Sequence, residues 1–238
     1  MSRPAPAISV VMPAFNAARF IAEALESVLA ELMAVAGPSF EVVVADDCSH
    51  DATADVVRSF GERGVRYVKR SARGGPGAAR NSGVGAAGGE LLAFLDADDV
   101  WPAGRLAALK NALEQQDRPA IAFGHMHQFA CPSMDPALRG RLLVPEESVP
   151  GYCAGAMLLR RADFLRIGYF NEALAIGEFI EWFGQARDLG FAIALIPQIV
   201  LERRVHGANS SMRRNADYAD YARALKGVLD RRRPNKAG

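Results

Sequence analysis

The sequence predicts an α/β protein with a mostly parallel central sheet flanked by helices and an elaborated C-terminal half. Short apolar runs and helical stripes alternate four times before residue 124, as in a sheet covered on both faces. Each run leads into an unusual polar or glycine-rich loop, at the edge where open α/β sheets bind ligands. At 238 residues, half of them hydrophobic and 23% charged, the chain is long enough to bury a substantial core.

The elements follow in order. Ile8 to Met12 is a strand ended by Pro13. Ala18, Ile21, Ala22, Leu25, Val28, Leu29 and Leu32 then recur as the stripe of an amphipathic helix. Phe40 to Ala45 is a second buried strand closing on Asp46-Asp47, and Asp51 can cap the helix carried by Ala54, Val57 and Phe60. Val65 to Lys69 is the third strand. The turn Gly74-Gly75-Pro76-Gly77 opens a small-residue helix through Ala79, Gly83 and Ala86. Leu91 to Leu95 is the fourth strand, and Leu106, Leu109 and Leu113 mark the helix after it.

Beyond Gly124 the pattern loosens. His125 to Pro150, with several prolines and mixed charges, reads as a long loop or an irregular strand region. Helical pattern returns at Ala162 to Ile167 and Glu178 to Leu189; Ile193 to Ile196 and Ile199 to Arg204 read as strands. A last helix covers Asp217 to Arg233, with Tyr218, Tyr221, Leu225, Val228 and Leu229 on one side. With no internal repeat and no Ser- or Pro-rich linker, one domain is expected over 1–238.

Several classes are disfavoured. Net charge of +1 gives no global reason to expect nucleic acid, although from Ser210 onward eight Lys/Arg stand against three Asp. Cys48, Cys131 and Cys153 form no spaced disulfide or zinc framework, which favours a reducing, cytoplasmic setting. No apolar stretch reaches the ~20 residues that span a bilayer, and the N-terminus shows no secretion signal.

The chemistry concentrates in the loops. Leu91-Leu92-Ala93-Phe94-Leu95 stops on Asp96, Asp98 and Asp99. In an extended segment Asp96 and Asp98 share one side, and such paired oxygens suit Mg²⁺ or Mn²⁺ shared with substrate phosphates. A solvated acidic turn, with Asp99 as a cap, is the plain alternative. In Pro13-Ala14-Phe15-Asn16 the asparagine caps the helix or meets a ligand, and Phe15 is core or contact. Adjacent Asp46 and Asp47 after a buried strand must cap, pair or bind, and one can accept from an N–H edge of a base. Gly75-Pro76-Gly77-Ala78-Ala79-Arg80-Asn81 joins a flexible turn, a helix start and an arginine suited to phosphate. Together these loops describe a pocket taking base, pyrophosphate and metal in order.

The series ISVVMPAFN, VVVADDCSHDATADVV, GPGAARNSG and LLAFLDADD, then GYFNEAL and RRVHGANSS, resembles the family-2 glycosyltransferases of the GT-A fold over roughly residues 7 to 210. The resemblance implies a nucleotide-binding half over about 7–124, an acceptor half over 125–210, and a C-terminal helix and basic tail over 211–238. It implies a nucleoside-diphosphate sugar, a UDP-sugar first, with Mn²⁺ or Mg²⁺ on its diphosphate and inversion at the anomeric carbon. Position by position, Pro13, Ala14, Phe15 and Asn16 lie along the nucleoside, Asp47 faces the base with Asp46 nearby, and Arg80 approaches the diphosphate or sugar. Asp96 holds ribose or metal through water, and Asp98 is the direct metal ligand. His206 matches a histidine placed near the metal, a structural histidine being the other reading.

One position departs from the pattern. Relatives carry a Glu-Asp pair opening the helix after GYFNE, the aspartate being the usual general base, whereas this chain reads Glu178-Phe179. Glu178 and Glu181, one turn apart, are the candidate replacements, since inverting transfer wants a carboxylate near the acceptor hydroxyl. Both glutamates can instead simply favour the positive end of the helix. The alternative function is a nucleotide-sugar-binding module without turnover. The acceptor is open, a homodimer is left open, and the tail reads as a docked helix with a solvated basic end or as peripheral contact with anionic lipid.

Overall fold

The computed structural model describes residues 6–35, 39–115, 119–140, 144–207 and 217–232. Four βα units come first: β1 (Ile8–Ala14), α1 (Ile21–Val35), β2 (Phe40–Asp46), α2 (Thr53–Ser59), β3 (Val65–Lys69), α3 (Gly75–Ala86), β4 (Leu91–Phe94) and α4 (Arg105–Leu113). Then come β5 (Ile121–Ala130), the one-turn α5 (Pro136–Arg139), β6 (Val149–Pro150), β7 (Met157–Arg160), α6 (Arg161–Ile167), α7 (Glu178–Asp188), β8 (Ile193–Val205) and α8 (Asp217–Arg232).

The strands form one sheet in the order β3-β2-β1-β4-β7-β5-β6, with β8 paired to β5. The four strands β3, β2, β1 and β4 run parallel. β7 is antiparallel between β4 and β5, while β5 and β8 run parallel. The sheet is thus mostly parallel and flanked by helices, as the sequence predicts.

Alternation sends each strand's side chains to two cores. Val10 and Met12 of β1 pack with Leu25, Leu29 and Leu32 of α1 and Leu106 and Leu109 of α4. Val11 joins Val84 of α3, Phe164 of α6 and Trp182 of α7 on the other face. These side chains are fully buried, each contributing about 1.5–3 kcal/mol by leaving water. Helix α3 lies close because it is small: a Cβ at Gly83 would sit 2.4 Å from a Val11 methyl.

Register sets the working edge. Ala14 pairs with Asp46 and Asp46 with Lys69, so three strand ends stand level. β4 stops lower, Phe94 opposite Val11, and the residues after it rise to that edge as a loop. β5 and β8 run on together past it, to Ala130 and Val205.

The second half differs from expectation in three places. His125 to Ala130 is strand with register shifts at its start, the irregular strand of the two readings, and it continues β5 across the expected boundary at 124. Met157–Arg160 is an additional strand inserted between β4 and β5. Ile193–Val205 is one strand rather than two, with register shifts opposite Phe123 to Met126 that absorb Pro197.

Helix α8 packs beside α7 and buries Ala224. Of its expected stripe, Val228 is half-buried and Leu225 and Leu229 are exposed. The side chains of Tyr218, Tyr221, Arg231 and Arg232, and all of Arg233, lie outside the described residues, as do residues 208–216. Among the described residues no helix is long and apolar enough to cross a membrane.

Candidate functional site

After Phe94 the chain turns instead of extending: the Asp99 N–H donates to the Asp96 carbonyl at 3.1 Å. Asp96 and Asp98 therefore do not act as a strand pair but take partners from different elements. Asp96 accepts from Arg80 Nη2 at 2.6 Å, while Asp98 Oδ2 lies 2.9 Å from His206 Nε2. Asp99 turns inward and accepts from the Arg204 N–H at 2.8 Å. Burial, then the charges of Asp98 and Asp96, push its carboxyl well above the usual range.

His206 reaches Asp98 because β8 overruns the sheet. Glu202 exchanges backbone hydrogen bonds with Val100 at 2.9 and 3.0 Å, tying the strand to the aspartate loop. Two residues on, Arg204 Nε donates to the Asp98 carbonyl at 2.9 Å. Its guanidinium lies between the Phe20 and Phe129 rings and pairs with Glu23 at 2.7 Å. The His206 ring packs 4.8 Å from that of Phe20.

A second cluster starts from Asp47. Its carboxylate accepts from the N–H groups of Gly74 (2.9 Å) and Gly75 (2.8 Å) and from Arg70 Nε (2.9 Å). That fixes the turn opening α3, where Gly75 has φ +83°, a conformation suited to glycine. At Gly77 an added Cβ would sit 3.1 Å from Glu178 Cγ, so the small residue lets the start of α7 approach. Arg80, on the same helix, donates to Glu178 Oε1 at 2.5 Å as well as to Asp96. The Arg80 and Glu178 side chains are 7% and 8% exposed, that of Asp96 43%. Burial opposes the guanidinium's charge, yet Asp96 and Glu178 outweigh it and raise its pKa. Arg80 Nε is buried without a hydrogen-bond partner, an orphaned donor within this ion-pair line.

The two candidate bases separate. Glu178, the first residue of α7, joins the Arg80–Asp96 line, whereas Glu181 accepts from Asn171 Nδ2 at 2.8 Å. Phe179 packs against Phe123 and Phe183.

The ends of β1 and β2 form the third part. Pro13 and Ala14 are buried strand residues. Phe15 lies beneath the Arg73 guanidinium, 3.9 Å from its ring centroid. Asn16, at φ 48°, donates its N–H to Ser49 Oγ and accepts from the His50 N–H, both at 2.9 Å. Asp46 accepts from the Ser49 N–H (3.0 Å), Ser49 Oγ (2.5 Å) and the Tyr67 hydroxyl (2.5 Å). Burial, with Asp46 adding to it, pushes the Tyr67 phenol up to about 12. Asp51 accepts from the N–H groups of Thr53 and Ala18, linking the first two loops. Cys48, His50, Lys69 and Arg70 line a cleft of about 460 Å³ beside them.

Asp98 and His206 offer a carboxylate oxygen and an imidazole nitrogen to one space. Among the described residues no cluster of three or more such side chains surrounds a metal position. The pair fits a cation that takes its remaining ligands from phosphate and water, and the donor types suit Mn²⁺ or Mg²⁺. His125 and His127, on the overrunning part of β5, bond to Ser148 and Glu202. Arg204, Phe20, Arg70 and Tyr67 were not singled out from sequence. Arg204 carries a readable signal, two strand residues before His206, and Arg70 another, as the first residue after β3.

The profile described as glycosyl transferase family 2 matches residues 9–168. The succinoglycan biosynthesis protein ExoO of Rhizobium meliloti (strain 1021) is 33% identical over 200 residues, which are 73% of this chain and 53% of that protein. The UDP-Glc:alpha-D-GlcNAc-diphosphoundecaprenol beta-1,3-glucosyltransferase WfgD of Escherichia coli is 34% identical over 99 residues, 42% of this chain and 38% of its own length. The chain thus spans about half or less of these relatives. Staphylococcus aureus TarS 1-349 in complex with UDP-GlcNAc superposes with TM-score 0.73 at 21% identity, over 94% of this chain and 65% of that one. The mannosyltransferase PcManGT of Pyrobaculum calidifontis, in complex with GDP-Man and Mn²⁺, gives TM-score 0.65 at 20% identity, over 95% and 64%. At such identities these likenesses speak to the fold.

Proposed function

The chain belongs to glycosyl transferase family 2, and from that premise we propose that it moves a sugar from a nucleoside-diphosphate sugar to an acceptor hydroxyl. The transfer proceeds with inversion and with a divalent cation on the diphosphate. The observation that carries this reading is the meeting, on one loop, of the Asp98–His206 pair and the Asp96–Arg80–Glu178 line. One suits a metal-bound diphosphate, the other a reacting sugar.

Each residue then has a task. Phe15 and Asn16, backed by Pro13 and Ala14, lie along the nucleoside; Asp47, with Asp46 beside it, takes the base edge. Asp98 and His206 would hold Mn²⁺ or Mg²⁺, and Asp96 would meet the ribose, or the metal through water. When bound there, such a cation would supply charge neutralisation to the leaving diphosphate. Arg80 sets the position of Glu178 and of Asp96. The acceptor oxygen attacks the anomeric carbon from the face opposite the leaving diphosphate and passes its proton to Glu178. Arg80 fixes Oε1 of that carboxylate, and Oε2 makes no hydrogen bond among the described residues. The complexes of TarS with UDP-GlcNAc and of PcManGT with GDP-Man and Mn²⁺ support a nucleotide sugar; a UDP-sugar is the first choice.

A second reading, binding without turnover, is favoured by Phe179, whose ring sits in an aromatic cluster where relatives carry the base. A thermal-shift screen of UDP-glucose, UDP-GlcNAc and GDP-mannose, with and without Mn²⁺, tests the shared part of both readings. A donor at 100 times its Kd should add about 2.7 kcal/mol of stability. No metal-dependent shift with any of them would sink the nucleotide-sugar assignment.

A further inference from the structure

Tyr152 is a half-exposed aromatic ring (47% exposed) at the sheet edge that carries the site. Its loop leads through a 3₁₀ turn, Ala154–Ala156, into β7. Since β7 runs antiparallel to β4, with Leu158 opposite Ala93, that loop emerges beside Asp96. Burial first, with the charges of Asp96 and Asp99 adding to it, pushes the neighbouring Cys153 thiol up to about 11. Behind Tyr152 stand apolar rings: Phe123 at 5.4 Å and Phe183 at 5.3 Å. Phe183 stacks on Phe179 at 5.8 Å, and Phe179 follows Glu178 directly. The Tyr152 ring is thus braced from behind and wet in front, and its hydroxyl has no partner among the described residues.

A pyranose matches such a surface, with one face of C–H bonds and a rim of hydroxyls. An aromatic face takes the C–H side, desolvating little of the polar rim, while a free phenol hydroxyl serves the rim. We propose that Tyr152, backed by Phe123 and Phe183 and flanked by Phe179, binds the pyranose ring of a glycoside acceptor and presents one of its hydroxyls to Glu178. The inference rests on the proposed transfer and adds the class of acceptor. An acceptor offering only a peptide hydroxyl or a simple alcohol has no ring face to place there.

Saturation-transfer difference NMR tests it with methyl glucoside, methyl galactoside and methyl N-acetylglucosaminide, each with the chain, UDP and Mn²⁺. Wild type should saturate the C–H protons on one face of at least one pyranoside. Tyr152→Ala should weaken that binding about tenfold, the upper range for one aromatic contact, while Tyr152→Phe keeps most of it. A signal indifferent to Tyr152→Ala, or no pyranoside signal while UDP binds, overturns the acceptor assignment. UDP binding, followed by thermal shift in all three proteins, keeps the two failures apart. Its loss in wild type would count against the transferase reading, and its retention in Tyr152→Ala shows that the variant is folded.

Discussion

Arg80 Nη1 lies 2.5 Å from Glu178 Oε1, joining α3 to the first residue of α7 across two segments 98 residues apart in sequence. Both side chains are buried, and the other end of the guanidinium reaches the more exposed Asp96. The arginine therefore has a structural and a chemical duty, and they can be measured separately.

Arg80→Met should destabilise the fold by about 3–5 kcal/mol, because Glu178 is left buried with an uncompensated charge. Adding Glu178→Gln to that variant should recover part of the loss. Denaturant unfolding of both singles and the double checks this, and additivity within about 0.5 kcal/mol would mean that the pair is not coupled.

Glu178→Gln should keep donor binding and lose transfer by a factor of about 10² to 10⁴, the usual worth of a general base. Glu181→Gln should remain near wild type, since Glu181 is turned to Asn171. If Glu181→Gln is the inactive variant, the base lies one turn further along α7.

Asp98→Ala should abolish Mn²⁺-dependent binding of nucleoside diphosphate while leaving the melting temperature of the free chain near wild type. His206→Ala should weaken the metal more modestly, by roughly 10- to 100-fold, as losses around metal sites commonly do. Calorimetric titration of Mn²⁺ with UDP decides it; an unaffected His206→Ala would return that histidine to packing against Phe20.

The first four βα units were legible because short strand runs, apolar in β1, β2 and β4 and mixed in β3 (Val65-Arg66-Tyr67-Val68-Lys69), alternate with polar or glycine-rich loops and helical stripes through Leu113. The second half was less so, for identifiable reasons. β7 is only Met157-Leu158-Leu159-Arg160, too short for a period. β5 mixes half-exposed His125, His127 and Gln128 into a strand, because it overruns the sheet and loses cover there. Pro197 looked like a strand break but lies in an irregular stretch of β8. At the site, residue types and order were readable, but pairings were not. That Asp98 meets His206 depends on β8 overrunning the edge, and that Asp47 holds the Gly74-Gly75 turn depends on where β3 delivers Arg70.

The Tyr67–Asp46 hydrogen bond should show in alkali. The unfolded phenol ionises near 10.0, but the folded one is pushed up to about 12, so stability present below pH 10 is lost between the two values. The stability difference between wild type and Tyr67→Phe should therefore shrink across that window. Urea unfolding of both proteins below and within it checks this, and a constant difference would show that burial and Asp46 together do not hold the Tyr67 proton.

The most direct measurement is release of nucleoside diphosphate from UDP-glucose, UDP-GlcNAc and GDP-mannose, with the methyl pyranosides and water available to take the sugar, with and without Mn²⁺, for wild type and Asp98→Ala. Turnover of at least one donor is expected from wild type with metal, falling to background without metal and in Asp98→Ala. A wild-type chain that binds a donor tightly yet releases nothing from any of them would contradict sugar transfer and leave a binding module.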